Sequence, residues 1–265
     1  MARRGAPGGG VGNITERKKK HICVYRVTNL NHFNSVIIPH FCKYSLITSK
    51  QSNFSLWVDV INKMLLKEHL NKNPAGGPPR PPGGRRGFIS ILSLYASINQ
   101  GVSKKVLSFY PNIVAQTKPI VSLPSVLNPH WVSGFVTGGG SFILATRKKT
   151  AKINNRFGLY WNFSITQHSK DFELMKLFIL FFNCGKVSRR SKKEILRCDF
   201  YIQDVNSIRT KVIPHFDNYP LCNIKELDFL NFKLILDMVY YKKHLIKENQ
   251  VIIQKMINNM NIRRV

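Results

Sequence analysis

The amino-acid sequence predicts an α+β protein made of two related half-domains of order αββαββα about a pseudo-two-fold axis, the first of them incomplete. Three observations carry this: a long repeat at constant spacing, a switch of hydrophobic period along the second copy, and one cleanly alternating strand. Cys23, Pro39, His40, Phe41, Tyr44, Leu46, Lys50, Phe54, Lys67, His69 and Leu70 recur as Cys198, Pro214, His215, Phe216, Tyr219, Leu221, Lys225, Phe229, Lys242, His244 and Leu245, each pair 175 residues apart. A gapless repeat of this length marks a duplicated half-domain rather than a solenoid unit.

At that spacing the counterparts of residues 127–184 would fall before about residue 9, so the chemistry of that stretch is expected once, not twice. The Gly, Pro, Ala and Arg composition of residues 1–10 and 73–86 stands apart from the Ile, Asn, Lys, Phe and Tyr of the rest, as GC-rich codons do from AT-rich ones. The second of these segments reads as an insertion, because beyond it Ile91 and Asn99 match Ile253 and Asn261 at a spacing of 162, which is 13 shorter. Its composition predicts a flexible loop. The expected organisation is a tail at 1–10, an incomplete half-domain at 11–100 interrupted by 73–86, a linker at 101–126 and a second half-domain at 127–265.

Within the second copy the elements follow in order. Asn128 before Pro129 is a cap and a first helical position, opening a helix over 127–138. Strands are expected at 141–148 and 157–166, then a helix over 171–182 with Phe172, Met175, Phe178, Ile179 and Phe182 on one side. Strands near 186–190 and 195–203 come next, followed by helices near 204–215, 226–243 and 248–260. In the strand at 195–203, Leu196, Cys198, Phe200 and Ile202 point one way and Arg197, Asp199, Tyr201 and Gln203 the other, so one sheet face is buried and one is polar.

Lys and Arg number 41 against 13 Asp and Glu, a formal charge of +28, which points to a polyanionic partner, nucleic acid before a merely basic surface. The candidate nucleic-acid contacts are Arg147, Lys148, Lys149, Lys152 and Arg156 at the first hairpin tip and Lys186, Arg189, Arg190, Lys192 and Lys193 at the second. Arg197, Tyr201 and Gln203 on the strand, and Arg26 in the first copy, complete the set. A twisted sheet so decorated can lie in a major groove, with loop cations on phosphates and strand residues on base edges. Cys23, Cys42, Cys184, Cys198 and Cys222 form no CxxC pair and are expected as reduced, structural thiols without zinc, although His21 and His40 lie two residues from Cys23 and Cys42. No apolar run reaches membrane-spanning length, and residues 1–10 do not read as a secretory signal.

Residues 127–142 read LNPHWVSGFVTGGGSF, with Gly134 and Gly138 giving a smooth helix face that a second helix can approach closely. Trp131 to Phe142, Ser164 to His168, Phe181 to Gly185, Ile213 to Phe216, Tyr219 to Leu221, Lys225 with Asp228 and Phe229, and His244 with Leu245 together resemble the LAGLIDADG homing endonucleases and intron maturases, of the two-motif monomeric kind found in fungal mitochondria. The landmarks span 127–261 and, through the repeat, 10–72 and 87–99.

The resemblance implies a mitochondrial mobile-element protein that meets double-stranded DNA and belongs to a group that cuts it site-specifically in intron homing. In that group two motif helices pack together, and an acid at the end of each holds Mg2+ between the scissile phosphates. Matched to the pattern, the acidic positions are Thr137 and Gly139, neither of which brings a carboxylate, so Mg2+ binding and cleavage are expected to be impaired. Lys50 and Lys225 match a basic position near the active site and are expected to contact phosphate or to be plain surface lysines. Without the first motif, Val58, Ile61, Leu65 and Ile91 are expected to be exposed, a liability that a fused upstream segment or a partner chain would repair. Two rival readings remain: an RNA maturase on a group I intron, which needs no carboxylates, and a gene remnant without a stable fold.

Overall fold

The computed structural model describes residues 10–18, 22–70, 86–146, 158–190 and 196–261. The chain divides into two compact units, residues 1–123 and 124–265. The insertion at 73–86, apart from its last residue, and the tail, apart from Gly10, lie outside the described residues.

In the first unit, β1 (Asn13–Arg17) pairs antiparallel with β2 (Ile22–Arg26), Asn13 lying opposite Arg26. Asn29 then caps α1 (Leu30–His32), its side-chain oxygen accepting from the Asn31 N–H at 2.8 Å. The helix runs through a π turn, Phe33–Ile37, into α2 (Ile38–Lys43), and α3 (Ser49–Leu65), α4 (Arg86–Ser97) and α5 (Lys104–Phe109) follow. Leu56, Leu94 and Ile98 form a small core with Trp57 and Val60 packed on it. The segment expected as a linker docks on that core. Ser52 donates to the Pro119 carbonyl at 2.7 Å and Ser97 to that of Gln116, which satisfies two buried hydroxyls.

In the second unit, α6 (Pro129–Gly139) leads into β3 (Gly140–Thr146), β4 (Leu159–His168), α7 (Phe172–Phe182), β5 (Lys186–Arg189) and β6 (Arg197–Ile202). The strands form one antiparallel sheet in the order β3-β4-β6-β5. Then come α8 (Val205–Ser207), a π turn at Ile208–Val212, α9 (Ile213–Asn218), α10 (Ile224–Tyr240) and α11 (Lys247–Asn258). Among the described residues no helix is long and apolar enough to cross a membrane.

The repeat is written into the backbone. From α1 to the end of α3, each helix and π turn has its counterpart 175 residues on. Pro39 and Pro214 each follow a π turn. A proline within a helix lacks an N–H and collides with the carbonyl four residues back, and a widened turn ahead of it accommodates both defects. The left-handed residues match as well: Thr48 with Asn223 at φ 70° and 62°, Lys67 with Lys242 at 56° and 57°, and Asn99 with Asn261 at 50° and 56°.

The two copies differ in burial. Phe142, Phe163 and Phe200 point from the sheet into an aromatic core closed by Phe178 and Phe182 of α7, Phe216 of α9 and Phe229 and Phe232 of α10, all at most 3% exposed. Ring centroids of Phe142 and Phe163 lie 5.2 Å apart, nearly parallel. Cys198 is buried within β6, whereas its repeat mate Cys23 is exposed, because β1 and β2 make a sheet of only two strands.

Several expectations need correction. Ile61 is only 4% exposed, and Val58, Leu65 and Ile91 are half-buried rather than bare, since α3 and α4 pack on each other. On α7, Leu174 is buried where Phe172 and Ile179 are half-buried, so the covered face is turned from the one expected. Leu196 precedes β6 and is 61% exposed, while Cys198, Phe200 and Ile202 alternate inward.

This packing sets two expected outcomes. Phe163→Ala should lower the stability of the second unit by about 3–5 kcal/mol, the range for an aromatic truncation in a packed core, as read from chemical denaturation. His215 stacks on Tyr219 at 5.3 Å, and its Nε2 lies 3.3 Å from Ser133 Oγ. Burial lowers its pKa from 6.5 to about 4. Between those values the unfolded chain binds a proton that the folded one refuses. Its contribution is therefore complete above pH 6.5 and falls as the pH drops toward 4. Denaturation midpoints from pH 7 to pH 4 should decline less steeply for His215→Gln than for the unaltered chain.

Candidate nucleic-acid interface and motif helix

The motif helix α6 is built from its first residue. Asn128 Oδ1 accepts from the backbone N–H groups of His130 and Trp131 at 2.9 and 3.2 Å, and Pro129 occupies a position whose N–H would be unused. Ser133 anchors the helix inward, donating to the Tyr219 carbonyl at 2.7 Å. Among the described residues, apart from the helix's own backbone and the adjacent residues, no atom lies within 4 Å of a Cβ placed on Gly134 or Gly138, so the small-residue face is open. Gly140 is different: a Cβ there would sit 2.5 Å from Val136 Cγ1 and 2.8 Å from the Val136 carbonyl oxygen. Only glycine lets β3 leave the helix so closely.

Three of the four candidate catalytic positions, Thr137, Gly139 and Lys225, meet at this helix end. Thr137 donates to the Ser133 carbonyl at 2.8 Å and accepts from the Cys222 N–H at 3.3 Å. Gly139 carries no side chain, and a Cβ on it would reach 3.3 Å from Gln167 Nε2. Lys225, half-buried near the start of α10, donates from Nζ to the Gly140 carbonyl at 2.7 Å. Lys50 holds the matching place on α3 of the first unit and is exposed.

Each lysine follows by two residues a backbone turn at Thr48 or Asn223, with φ 70° and ψ −156° in one and φ 62° and ψ −151° in the other. That region is nearly exclusive to glycine, and other residues there store about 1–3 kcal/mol of strain. Nothing in the residue types Thr and Asn announced it; only the shared offset relates the two turns. Asn223→Gly should raise the denaturation stability of the second unit by about 1 kcal/mol.

The resemblance implies a divalent metal at position 139, and the residues there do not fit one. Glycine offers no oxygen ligand from a side chain, the Thr137 hydroxyl is engaged as donor and acceptor, and the Gly140 carbonyl receives the Lys225 ammonium. Among the described residues no group of three His, Cys, Asp or Glu side chains is placed to hold a metal.

The other face of the sheet forms a shallow polar groove whose floor includes Ser141, Asn162, Thr166, Asp199, Tyr201 and Gln203. Register explains the company. Thr166 on β4 and Ser188 on β5 both lie opposite Asp199 on β6, and Lys186 lies opposite Tyr201. Arg190, just beyond β5, grips Asp199 with Nε to Oδ2 at 2.8 Å and Nη2 to Oδ1 at 2.9 Å. Thr166 Oγ1 also donates to Oδ1. The Arg190 bonds, then that of Thr166, hold the Asp199 carboxyl below its ordinary range. Asn162 Oδ1 is buried with no hydrogen-bond partner among the described residues.

Of the candidate contacts, Lys186, Arg190, Arg197, Tyr201 and Gln203 belong to this side of the sheet by strand parity. Arg189 points the other way, its guanidinium 4.1 Å from the Phe172 ring of α7. Arg26 ends β2 in the first unit. The hairpin-tip residues Arg147, Lys148, Lys149, Lys152, Arg156, Lys192 and Lys193 lie outside the described residues. Sequence reasoning set Asp199 on the polar face but missed its grip on Arg190 and Thr166, since strand order and register decide that and leave no local signal. It also missed the Ser133, His215 and Tyr219 cluster behind α6.

Comparison with known proteins places the chain. Residues 6–61 and 132–236 match the LAGLIDADG endonuclease family. Among curated relatives, a probable intron-encoded endonuclease 2 of Neurospora crassa is 29% identical over 247 residues, covering 89% of this chain and 49% of the relative. A probable intron-encoded endonuclease 3 of the same fungus is 27% identical over 241 residues, covering 91% and 42%. The chain thus spans about half the length of these relatives. Among solved structures, the I-SmaMI LAGLIDADG homing endonuclease bound to cleaved DNA matches with a TM-score of 0.86 and 31% identity over 97% of this chain and 80% of that one. The LAGLIDADG homing endonuclease I-GzeII in complex with its DNA target matches at 0.84 and 32%, over 96% and 81%. With more than half its length matched by the family and a fold shared with these solved members, the chain belongs to the LAGLIDADG endonuclease family.

Proposed function

We propose that this chain is a homing-endonuclease-type protein of a mitochondrial mobile element, that it binds double-stranded DNA through the polar face of the β3–β6 sheet, and that cleavage is impaired in this copy. The observation that carries the binding is the groove. A strand-built floor of hydroxyl, amide, Tyr and Arg groups, edged by Lys186 and Arg197, faces away from the aromatic core on a chain of charge +28. Groups of this kind read base edges, while the surplus cations meet phosphates. Relatives named as intron-encoded endonucleases, and solved relatives bound to DNA, support that partner. Intron-encoded relatives in fungi and the AT-biased composition support the mitochondrial setting.

The impairment rests on the end of α6. Phosphodiester hydrolysis at neutral pH draws on a metal ion to activate water and to neutralise the leaving oxygen, and hard cations are held by carboxylates. Thr137 and Gly139 supply none. The chain's own residues offer binding: the groove to the bases, and Lys225, at the motif end, a cation for a nearby phosphate.

A binding and cleavage assay on fragments of the host mitochondrial genome tests this, with Gly139→Asp run beside the unaltered protein. Site-specific binding should weaken by about 10³ or more between 50 and 200 mM salt, as expected for six or more neutralised phosphates. It should occur without strand cleavage in Mg2+. Specific cleavage by the unaltered chain would overturn the impairment, and binding indifferent to salt and sequence would overturn the groove as a DNA reader.

A further inference from the structure

Arg190 and Asp199 form an ion pair in the middle of a face otherwise suited to polyanions, and its geometry is selective. The carboxylate side chain is 18% exposed and the guanidinium 42%. Thr166 holds Asp199 from β4, and the Arg190 backbone N–H donates to the Arg197 carbonyl at 3.1 Å, so both ends of the pair are fixed to the sheet. Arg190 spends Nε–H and one Nη2–H on the carboxylate. Three of its five N–H donors remain, two on Nη1 and one on Nη2, in the plane of a fork that matches O6 and N7 of guanine.

We propose that Arg190 is a specificity-determining residue that reads a guanine in the major groove, and that Asp199 is the positioning residue that presents it. The inference rests on the reading of this face as the DNA-binding one. Charge decides between base and phosphate. A carboxylate in bidentate contact largely cancels the point charge of the guanidinium and would itself repel a phosphate, whereas the acceptors of a base edge are neutral. The contact also freezes a long side chain before binding, which lowers the entropy lost on recognition. Asp199 is poorly placed to read cytosine, because Oδ1 already accepts two bonds and Oδ2 one.

Selection of binders from a randomised duplex DNA library, followed by sequencing, tests the pair and requires no defined target site. The unaltered protein should enrich one site containing a strongly preferred G·C pair. Arg190→Lys, which keeps the charge and loses the fork, should enrich the same site with the preference at that one pair reduced about 5- to 150-fold. Asp199→Asn should relax the same position, so that both variants depart from the unaltered protein at one base pair of an otherwise shared site. Their thermal unfolding, followed by circular dichroism, shows that they remain folded. An identical preference at every position in both variants would overturn the assignment. So would an equal loss of affinity for all sequences, the mark of a phosphate contact. If the unaltered protein enriches no sequence, the reading of the face falls first and the inference falls with it.

Discussion

The burial of one face of a four-stranded sheet is the constraint from which the rest of the second unit follows. Phe142, Phe163, Ile165, Cys198 and Phe200 all lie on that face with no exposure. Side chains on a strand alternate, so a slip of one residue would bring Ser164 and Asp199 into an aromatic core and put Phe163 and Phe200 in water. The cost of that exchange, several aromatic side chains at about 1.5–3 kcal/mol each before any penalty for buried polar groups, pins the register. With the register pinned, Thr166, Asp199 and Ser188 fall in one row on the other face. The polar groove is thus a geometric consequence of the core.

The internal repeat separates what local sequence dictates from what tertiary packing dictates. Local features survive in both copies: the π turn ahead of a helical proline, the strained residue two positions before Lys50 and Lys225, and the left-handed lysine that ends each long helix. Burial does not survive. Cys23 and Cys198 occupy equivalent strand positions, yet only the second lies under helices, because β6 has β4 beside it and β2 has only β1. Ile61 shows the reverse: helix packing within the first unit covers a residue that the sequence pattern predicts to be bare.

Much of the fold was legible for the same reason. The helix opening at Asn128 and Pro129 and the alternation from Cys198 to Ile202 are signals carried within a few residues, and the structure follows them to within a residue or two. What escaped depends on partners far away in the chain. The covered face of α7 centres on Leu174, Met175, Phe178 and Phe182, a choice set by where β6 lies beneath the helix, which the run of apolar residues from Phe172 to Phe182 could not reveal. Arg190 and Arg189 are indistinguishable as neighbouring cations in sequence. One grips a carboxylate in the groove and the other stacks on Phe172 because adjacent residues leave the sheet on opposite sides.

The end of α6 keeps its architecture with no carboxylate at 137 or 139. Closing the helix onto β3 requires Gly140, whose missing Cβ makes room for Val136, and an inward anchor at Ser133; neither depends on an acid at 137 or 139. A helix C-terminus carries unsatisfied carbonyls and partial negative charge, which favour a cation nearby. The Lys225 ammonium fills that role at the Gly140 carbonyl, and the Thr137 hydroxyl, in place of a carboxylate, ties the helix to Cys222. Two demands that coincide on one short segment, folding and metal binding, are therefore physically separable. The segment folds without a carboxylate at 137 or 139, and the groove, pinned by a core on the opposite face, has no need of either acid to keep its shape.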